Sequence, residues 1–446
     1  MHSHTLLRAT AAAACVAMLA AGCSSGSPSP SASQPTADGS ASQAPAEQIT
    51  LTVATFNEFG YDNLLAKYTD THPNVTVKEK KAATSNEARE NFMTKIGAGS
   101  GLSDIEAVEV DWLTEIMQAS DKLADLSSPD VQGRWLDWKA AQATTADGKL
   151  IGYGTDIGPE GVCYRSDLFA AAGLPTDRDE VAKLLGTWDD YFELGKKFVA
   201  KSDAAWFDST DAIFQGMVNQ VDNAFSSTAP EETIIPLDQN TAMRQMYDTV
   251  IKAAQDDDLS AHLAQWSTDW TAAFQVQAAD AAKKPTFATM LCPGWMLGVI
   301  EGNAAGLEGW DIANAFPGGG GNWGGSFLVV PAQGPNVEAA KELAAWLTAP
   351  EQQIEAFKLK GTFPSQVEAL KSPDLLSVTN PFFNDAPTGQ ILADRANAVT
   401  VNPFKGPHYF AIRQAISDAI NRVDVDKTDD REASWAKAVS EVAALG

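Results

Sequence analysis

The chain has 446 residues, with 32 Lys and Arg against 58 Asp and Glu and a formal net charge of −26. A surface of that sign repels polyphosphate and anionic lipid, so nucleic acid is a poor partner and spreading on a membrane surface is disfavoured. Apolar content is ordinary, and no stretch after residue 21 is long enough to cross a bilayer. At the N-terminus, Arg8 precedes an apolar, Ala-rich stretch from Thr10 to Ala21, closed by Leu19-Ala-Ala-Gly-Cys-Ser-Ser25. A basic start, a short apolar core and small residues before the cut make a secretory signal. Ser24 to Gln48 is almost all Ser, Pro, Ala, Gly, Gln and Thr, a composition that gives a flexible tether.

The run ending in Cys23 resembles a bacterial lipobox, with Ala20 standing where Leu is usual. That resemblance implies a signal peptide over residues 1–22, a diacylated Cys23 and a tether over 23–48. The remaining chain would then sit on the extracellular face of the cell membrane, anchored only through its N-terminal lipid.

The remainder, roughly 400 residues, is too long for one core and suits two lobes. Ile49 to Phe56 alternates as a strand, Tyr61 to Thr71 reads as helix and Val75 to Lys80 as a second strand. Arg89 to Ile96 is helical in pattern and is broken by Gly97 to Gly101; Ile105 to Val110 is a third strand, followed by Asp111 and Trp112. This β-α-β-α-β order predicts a mostly parallel α/β sheet, with ligand sites beyond the carboxyl ends of its strands. Leu150 to Tyr164 places Gly152, Gly154, Gly158 and Gly161 among short extended pieces, as a crossing between lobes requires. Glu180 to Lys201 is an amphipathic helix, and a mostly helical region runs to about Ala282. Phe287 to Cys292, Trp310 to Ala315 and Ser326 to Val330 are strands, the last two separated by a turn from Pro317 to Gly325. Val337 to Lys360 is helical with a break at Pro350, and further helices fill Gln366 to Gly446.

Few chemical motifs survive inspection. Of four cysteines, Cys15 would leave with the signal and Cys23 carry the lipid, leaving Cys163 and Cys292. This even pair permits a disulfide in an oxidising compartment, with two buried thiols as the alternative. No metal site or cofactor is expected, because there is no Cys/His cluster of zinc spacing. Asp424, Asp426 and Asp429 lack the Gly and Glu of an EF-hand. Gly319, Gly321 and Gly324 spell a phosphate-loop string but precede a strand and have no basic neighbour. His72, His262 and His408 are scattered, and no hydrolase or nucleotide-binding motif is present.

Several phrases together resemble the family-1 extracellular solute-binding proteins of ABC sugar importers. Tyr164-Arg-Ser-Asp-Leu-Phe169 followed by Ala172-Gly-Leu-Pro175, Thr187-Trp-Asp-Asp190 and Ala288-Thr-Met-Leu-Cys-Pro-Gly-Trp295 carry that likeness in order. Within the family, Cys292 to Gly298, Phe316 to Ser326, Thr362 to Gln366 and Phe383 to Thr388 are similar to the actinobacterial cellobiose- and cello-oligosaccharide-binding lipoproteins. The resemblance implies a two-lobed periplasmic-binding-protein-like α/β fold (type II) that closes around a cellobiose- or cellotriose-class sugar, acts as a monomer and delivers it to ABC permease subunits. It implies no catalysis. Residues 49–155 with 310–350 would form the N-terminal lobe and 156–309 with 351–446 the C-terminal lobe, with crossings near residues 155, 310 and 350. Xylo-, manno- or laminari-oligosaccharide ligands, or a secreted glycoside hydrolase with paired carboxylates, are the alternatives.

The chain carries 12 Trp, and β-linked glucose rings pack their axial C–H faces flat on indoles. Trp295 and Trp323, flanked by Gly or Pro at a strand end or turn, are the leading platforms. Trp266 and Trp270 are four apart and share a face if helical, and Trp112 follows a strand. Trp135, Trp138, Trp188, Trp346 and Trp435 lie in amphipathic helices and are read as packing. Polar candidates sit after strands or in the crossing: Asn57 with Phe59, Thr84 with Ser85 and Asn86, Asp111, Asp156 and Glu160. Arg395 is a candidate bidentate donor to vicinal hydroxyls. Each of these polar residues has a cap or a surface ion pair as its alternative role.

Overall fold

The computed structural model describes residues 47–228, 232–284 and 286–446. The signal, Cys23 and the tether up to residue 46 lie outside the described residues.

The first sheet has five strands in the order Val75–Ala82, Ile49–Phe56, Ile105–Glu109, Ser326–Val329 and Tyr153–Gly154. Ile49 pairs with Val75 and Phe56 with Ala82 in parallel, and Val53 meets Ile105 in parallel. Ser326–Val329 runs antiparallel to both of its neighbours, with Ser326 opposite Glu109 and Phe327 opposite Gly154. The alternation read in Ile49–Phe56 is the buried face of this sheet, where Leu51 and Val53 are fully covered. Helices Asp62–Thr71 and Ser85–Ala98 follow the first two strands. Thr84 caps the second by accepting the Glu87 N–H at 3.2 Å, and Gly99 ends it at φ +69°, where a left-handed backbone suits glycine.

The second sheet has four strands in the order Trp310–Ala313, Glu160–Arg165, Phe287–Pro293 and Ala205–Phe207. It is covered on both faces: Val162, Tyr164 and Leu291 enter one core, whereas Cys163, Met290 and Cys292 enter another. On that second face Cys163 and Cys292 form a disulfide, with Cα atoms 5.4 Å apart on adjacent antiparallel strands.

Three expectations need correction. Trp310–Ala313 pairs with Glu160–Arg165 in the second sheet, so it does not open the first-lobe segment expected from residue 310. The chain rejoins the first sheet only at Ser326, after the glycine-rich turn. The region read as mostly helical up to Ala282 contains the strand Ala205–Phe207 and a small hairpin, Ser226–Ser227 with Thr233–Ile234. Glu180–Lys201 is two helices, Arg178–Lys183 and Trp188–Val199, because Thr187 accepts the Asp190 N–H and starts a new helix. Helix Pro350–Lys360 straddles the lobes: Ala356 packs in the first-lobe core, Ile354 and Phe357 in the second.

Candidate functional site

Between the two sheets lies a cleft of about 400 Å3, within the ~300–1,000 Å3 usual for small-molecule sites. The first lobe contributes Asn57, Phe59, Thr84, Asn86, Glu109 and Asp111, all at or just beyond the carboxyl ends of its parallel strands. Asp156, Gly324, Gly325 and Ser326 line it where the chain passes between lobes, and Trp266, Trp295 and Trp323 line it from the second.

The three indoles are arranged by hydrogen bonds and backbone geometry. Trp295 follows strand Phe287–Pro293, and its Nε1–H donates to the Trp323 carbonyl at 2.9 Å. The two rings meet edge to face at 5.9 Å. Trp266 stacks nearly parallel to Trp295, with centroids 6.1 Å apart and planes 24° apart. It is 40% exposed and sits at φ +70°. Trp323 donates its N–H to the Gly158 carbonyl at 2.8 Å, while Asn322 Oδ1 accepts the Gly158 N–H at 2.9 Å. This pairing of the crossing with the glycine-rich turn needs glycine at 158, since a Cβ there would stand 1.8 Å from the Trp323 carbonyl oxygen.

The polar side of the cleft is rich in carboxylates. Glu109 Oε2 accepts the Asp111 N–H at 2.9 Å, and burial together with the Asp111 charge pushes the Glu109 pKa up to about 8, against the opposing pull of Lys405. Asp111 pairs with the buried ammonium of Lys405, which reaches it from the segment before helix Tyr409–Asp424. Asp156 is buried, and its Oδ1 accepts from Thr155 Oγ1 at 2.6 Å and from the Ser326 N–H at 2.9 Å; burial raises its pKa. Beneath it, the buried Lys139 ammonium lies 3.8 Å from the centre of the Phe327 ring, and desolvation lowers its pKa to about 7. Arg413 Nε donates to Gln215 Oε1 at 2.5 Å and its Nη2 lies 2.8 Å from Asp211 Oδ1. Asn57 Oδ1, Glu109 Oε1 and Thr362 Oγ1 line the cleft and are buried without a hydrogen-bond partner among the described residues. The wall therefore offers aromatic faces and buried oxygens without a partner; Lys405 and Arg413 are paired with Asp111, Asp211 and Gln215, and of these cations only the buried Lys139 ammonium near Asp156 has no hydrogen-bond partner among the described residues. That is a chemistry for neutral, hydroxyl-bearing ligands rather than anions.

Four expected site residues do not line the cleft. Trp112 is fully buried, because Glu109 caps helix Val110–Met117 and turns the indole into the core, where its Nε1–H donates to Ser85 Oγ at 3.0 Å. Trp270 is 1% exposed: helix Thr268–Ala273 begins after Trp266, so the two indoles do not share a helical face. Its Nε1–H donates to the buried Asp208 at 2.8 Å. Glu160 is fully buried behind the glycine-rich turn, where its Oε2 accepts from Asn219 at 2.9 Å and burial pushes its pKa up to about 8. Arg395 instead donates to the Gly319 carbonyl at 3.1 Å and braces that turn from outside the cleft.

Glu109, Gln265 and one face of helix Tyr409–Asp424 also line the cleft, beyond the residues expected from sequence. Phe410, Arg413, Gln414, Ser417 and Asn421 all line the cleft, at the three- and four-residue spacing that marks one side of a helix. That mixed polar stripe beside a separate buried stripe was a usable signal. Gln265 had none.

Two α/β lobes with an aromatic and carboxylate-lined cleft between them define a binding protein of the two-domain receptor class. The chain belongs to the bacterial extracellular solute-binding proteins, whose family pattern matches residues 63–381. A crystal structure described as an extracellular solute-binding protein of family 1 is 47% identical to it, with a TM-score of 0.76 over 89% of this chain and 99% of that one. The arabinooligosaccharide-binding protein of Bacillus subtilis is 25% identical over 405 residues, covering 84% of this chain and 86% of that protein. An ABC transporter-associated binding protein from B. animalis subsp. lactis, in complex with β-1,6-galactobiose, shares the fold at 20% identity, with a TM-score of 0.75 over 90% of this chain and 97% of that one. The family is one of binding proteins, not enzymes.

Proposed function

We propose that this protein is the lipid-anchored, substrate-binding component of an ABC importer for cello-oligosaccharides of the cellobiose and cellotriose class. The observation that carries the reading is the cluster of Trp266, Trp295 and Trp323 on one wall of the cleft, facing acceptor-rich side chains on the other. Flat glucose rings stack on such indoles while their equatorial hydroxyls hydrogen-bond with Asn57, Glu109 and Asp156. The acidic side chains that line the cleft, Glu109, Asp111, Asp156 and Asp211, disfavour uronic acids. Closure of the lobes buries the sugar and presents a surface that a permease recognises. The anchor rests on the lipobox-like sequence ending in Cys23, and the permease and monomeric state rest on the family resemblance.

A second reading, arabino-oligosaccharide, is favoured by the Bacillus subtilis relative. Titration of intrinsic Trp fluorescence with cellobiose, cellotriose, xylobiose, arabinobiose and maltose separates the two. Saturation by the cello-sugars alone supports the first. Saturation by arabinobiose alone replaces it. Release of reducing sugar from cello-oligosaccharides by the pure protein would overturn both.

A further inference from the structure

Three non-glycine residues within nine positions have positive φ: Asp258 at +52°, His262 at +57° and Trp266 at +70°. For a residue as large as tryptophan this backbone is an outlier, and such conformations persist only where the surroundings over-determine them. Here the surroundings are two buried carboxylates. Asp208 Oδ2 accepts from Gln265 Nε2 at 2.9 Å and from Trp270 Nε1 at 2.8 Å, fixing the residues on either side of Trp266. Asp424, the last residue of helix Tyr409–Asp424, holds the other end of the loop: its Oδ1 accepts from His262 Nδ1 at 2.6 Å. Its Oδ2 accepts from Thr210 Oγ1 at 2.7 Å and Ser260 Oγ at 2.9 Å, and Ser260 Oγ in turn accepts the His262 N–H at 2.9 Å. The hydrogen bond to Asp424 raises the His262 pKa. Neither His262 nor Asp424 lines the cleft.

We propose that His262 and Asp424 are positioning residues for the binding site: their pairing locks the loop in its strained form, so that the exposed indole of Trp266 stands as a preformed platform beside Trp295. The proposal rests on the reading of the cleft as a sugar site. Preorganisation of this kind strengthens binding by removing the cost of ordering the loop when ligand arrives.

Removal of Asp424 leaves several buried donors unpaired and risks unfolding, so the test uses His262. His262→Phe keeps the size of the side chain and removes the donor. His262→Asn restores a donor at the Nδ1 position, and Asn tolerates a left-handed backbone. The full chain is labelled with 5-fluorotryptophan, and the Trp266 resonance is identified by its loss in Trp266→Phe. In the ligand-free protein, His262→Phe should shift or broaden that resonance and His262→Asn should restore it. The Kd for cellobiose should weaken about tenfold in His262→Phe, return to within about threefold of wild type in His262→Asn, and change less than about twofold when His262→Phe is added to Trp266→Ala. A sharp, unshifted Trp266 line in folded His262→Phe would overturn the proposal, as would a further tenfold loss in the Trp266→Ala background. If the wild type binds no sugar, the sugar reading falls, while the ligand-free spectrum still decides the positioning.

Discussion

Replacing Trp266 by alanine tests its part in ligand affinity, and the effect can be worked from the structure. An indole side chain buries roughly 150–250 Å2 when covered. With Trp266 40% exposed, roughly 80 Å2 is open to a ligand, and a sugar ring lying on one face covers about half of it. At about 25 cal/mol per Å2 that coverage contributes about 1 kcal/mol, and the stacking geometry adds about 1 kcal/mol more. The expected loss of about 2 kcal/mol is a rise in Kd of about 30-fold. Isothermal titration with the best cello-sugar measures it. The stability of the same variant, read by thermal unfolding, should fall by up to about 3 kcal/mol, because the covered remainder of the ring, roughly 120 Å2, rests against Trp270 and Trp295. A Kd within threefold of wild type would refute the assignment of Trp266 as a platform, and with it the argument from exposure and strain.

Three further outcomes follow from buried groups. Reducing the Cys163–Cys292 disulfide, or replacing both cysteines by alanine, frees a loop spanning 129 positions and should cost up to about 5 kcal/mol by loop entropy. Urea unfolding with and without reductant reads that loss. Glu160 has a folded pKa of about 8, above its ordinary value, so its contribution to stability is full below about pH 4.3 and is lost as the pH rises through its folded pKa. Glu160→Gln should therefore match wild type in acid and exceed it by a few kcal/mol above pH 8; an equal pH slope in both proteins would show that the carboxyl is solvated. Lys405→Met leaves Asp111 unpaired beside Glu109 and should cost about 3 kcal/mol, read as a lowered Tm. Its Asp111→Asn partner mutation should restore part of that loss, and no recovery in the double variant would contradict the pairing.

The fold was legible where local pattern and tertiary role coincide. Ile49–Phe56 alternates and Ile105–Glu109 runs apolar because the sheet covers them, the edge strand Val75–Ala82 buries only Val75, and glycines mark the chain's passage between lobes. The strand Ala205–Phe207 was not, since three residues between helices carry no period. In the cleft, Trp295 and Trp323 were readable from their Gly and Pro neighbours. Trp112 and Trp270 misled because following a strand, or recurring at four residues, says nothing of which way a helix faces. That direction is set by capping: Glu109 turns Trp112 inward, and Ser267 starts a helix that leaves Trp266 outside it. Glu160 and Arg395 sit near the cleft in sequence context but behind the glycine-rich turn in space.

The antiparallel strand Ser326–Val329 has a consequence for the order in which the molecule can assemble. It completes the first sheet by pairing with Ile105–Glu109 on one side and Tyr153–Gly154 on the other, yet it is made more than half a chain later than the first strand. Until Val329 is available, Ile105–Glu109 presents an open edge and Val108 and Ala107 lack their partners Phe327 and Leu328. Joining such distant segments must first overcome the entropy of closing the long intervening loop. An N-terminal fragment ending before Ser326 is thus an aggregation-prone half-sheet. Synthesis from the N-terminus yields a lobe that waits, unfinished, for the other lobe to be made.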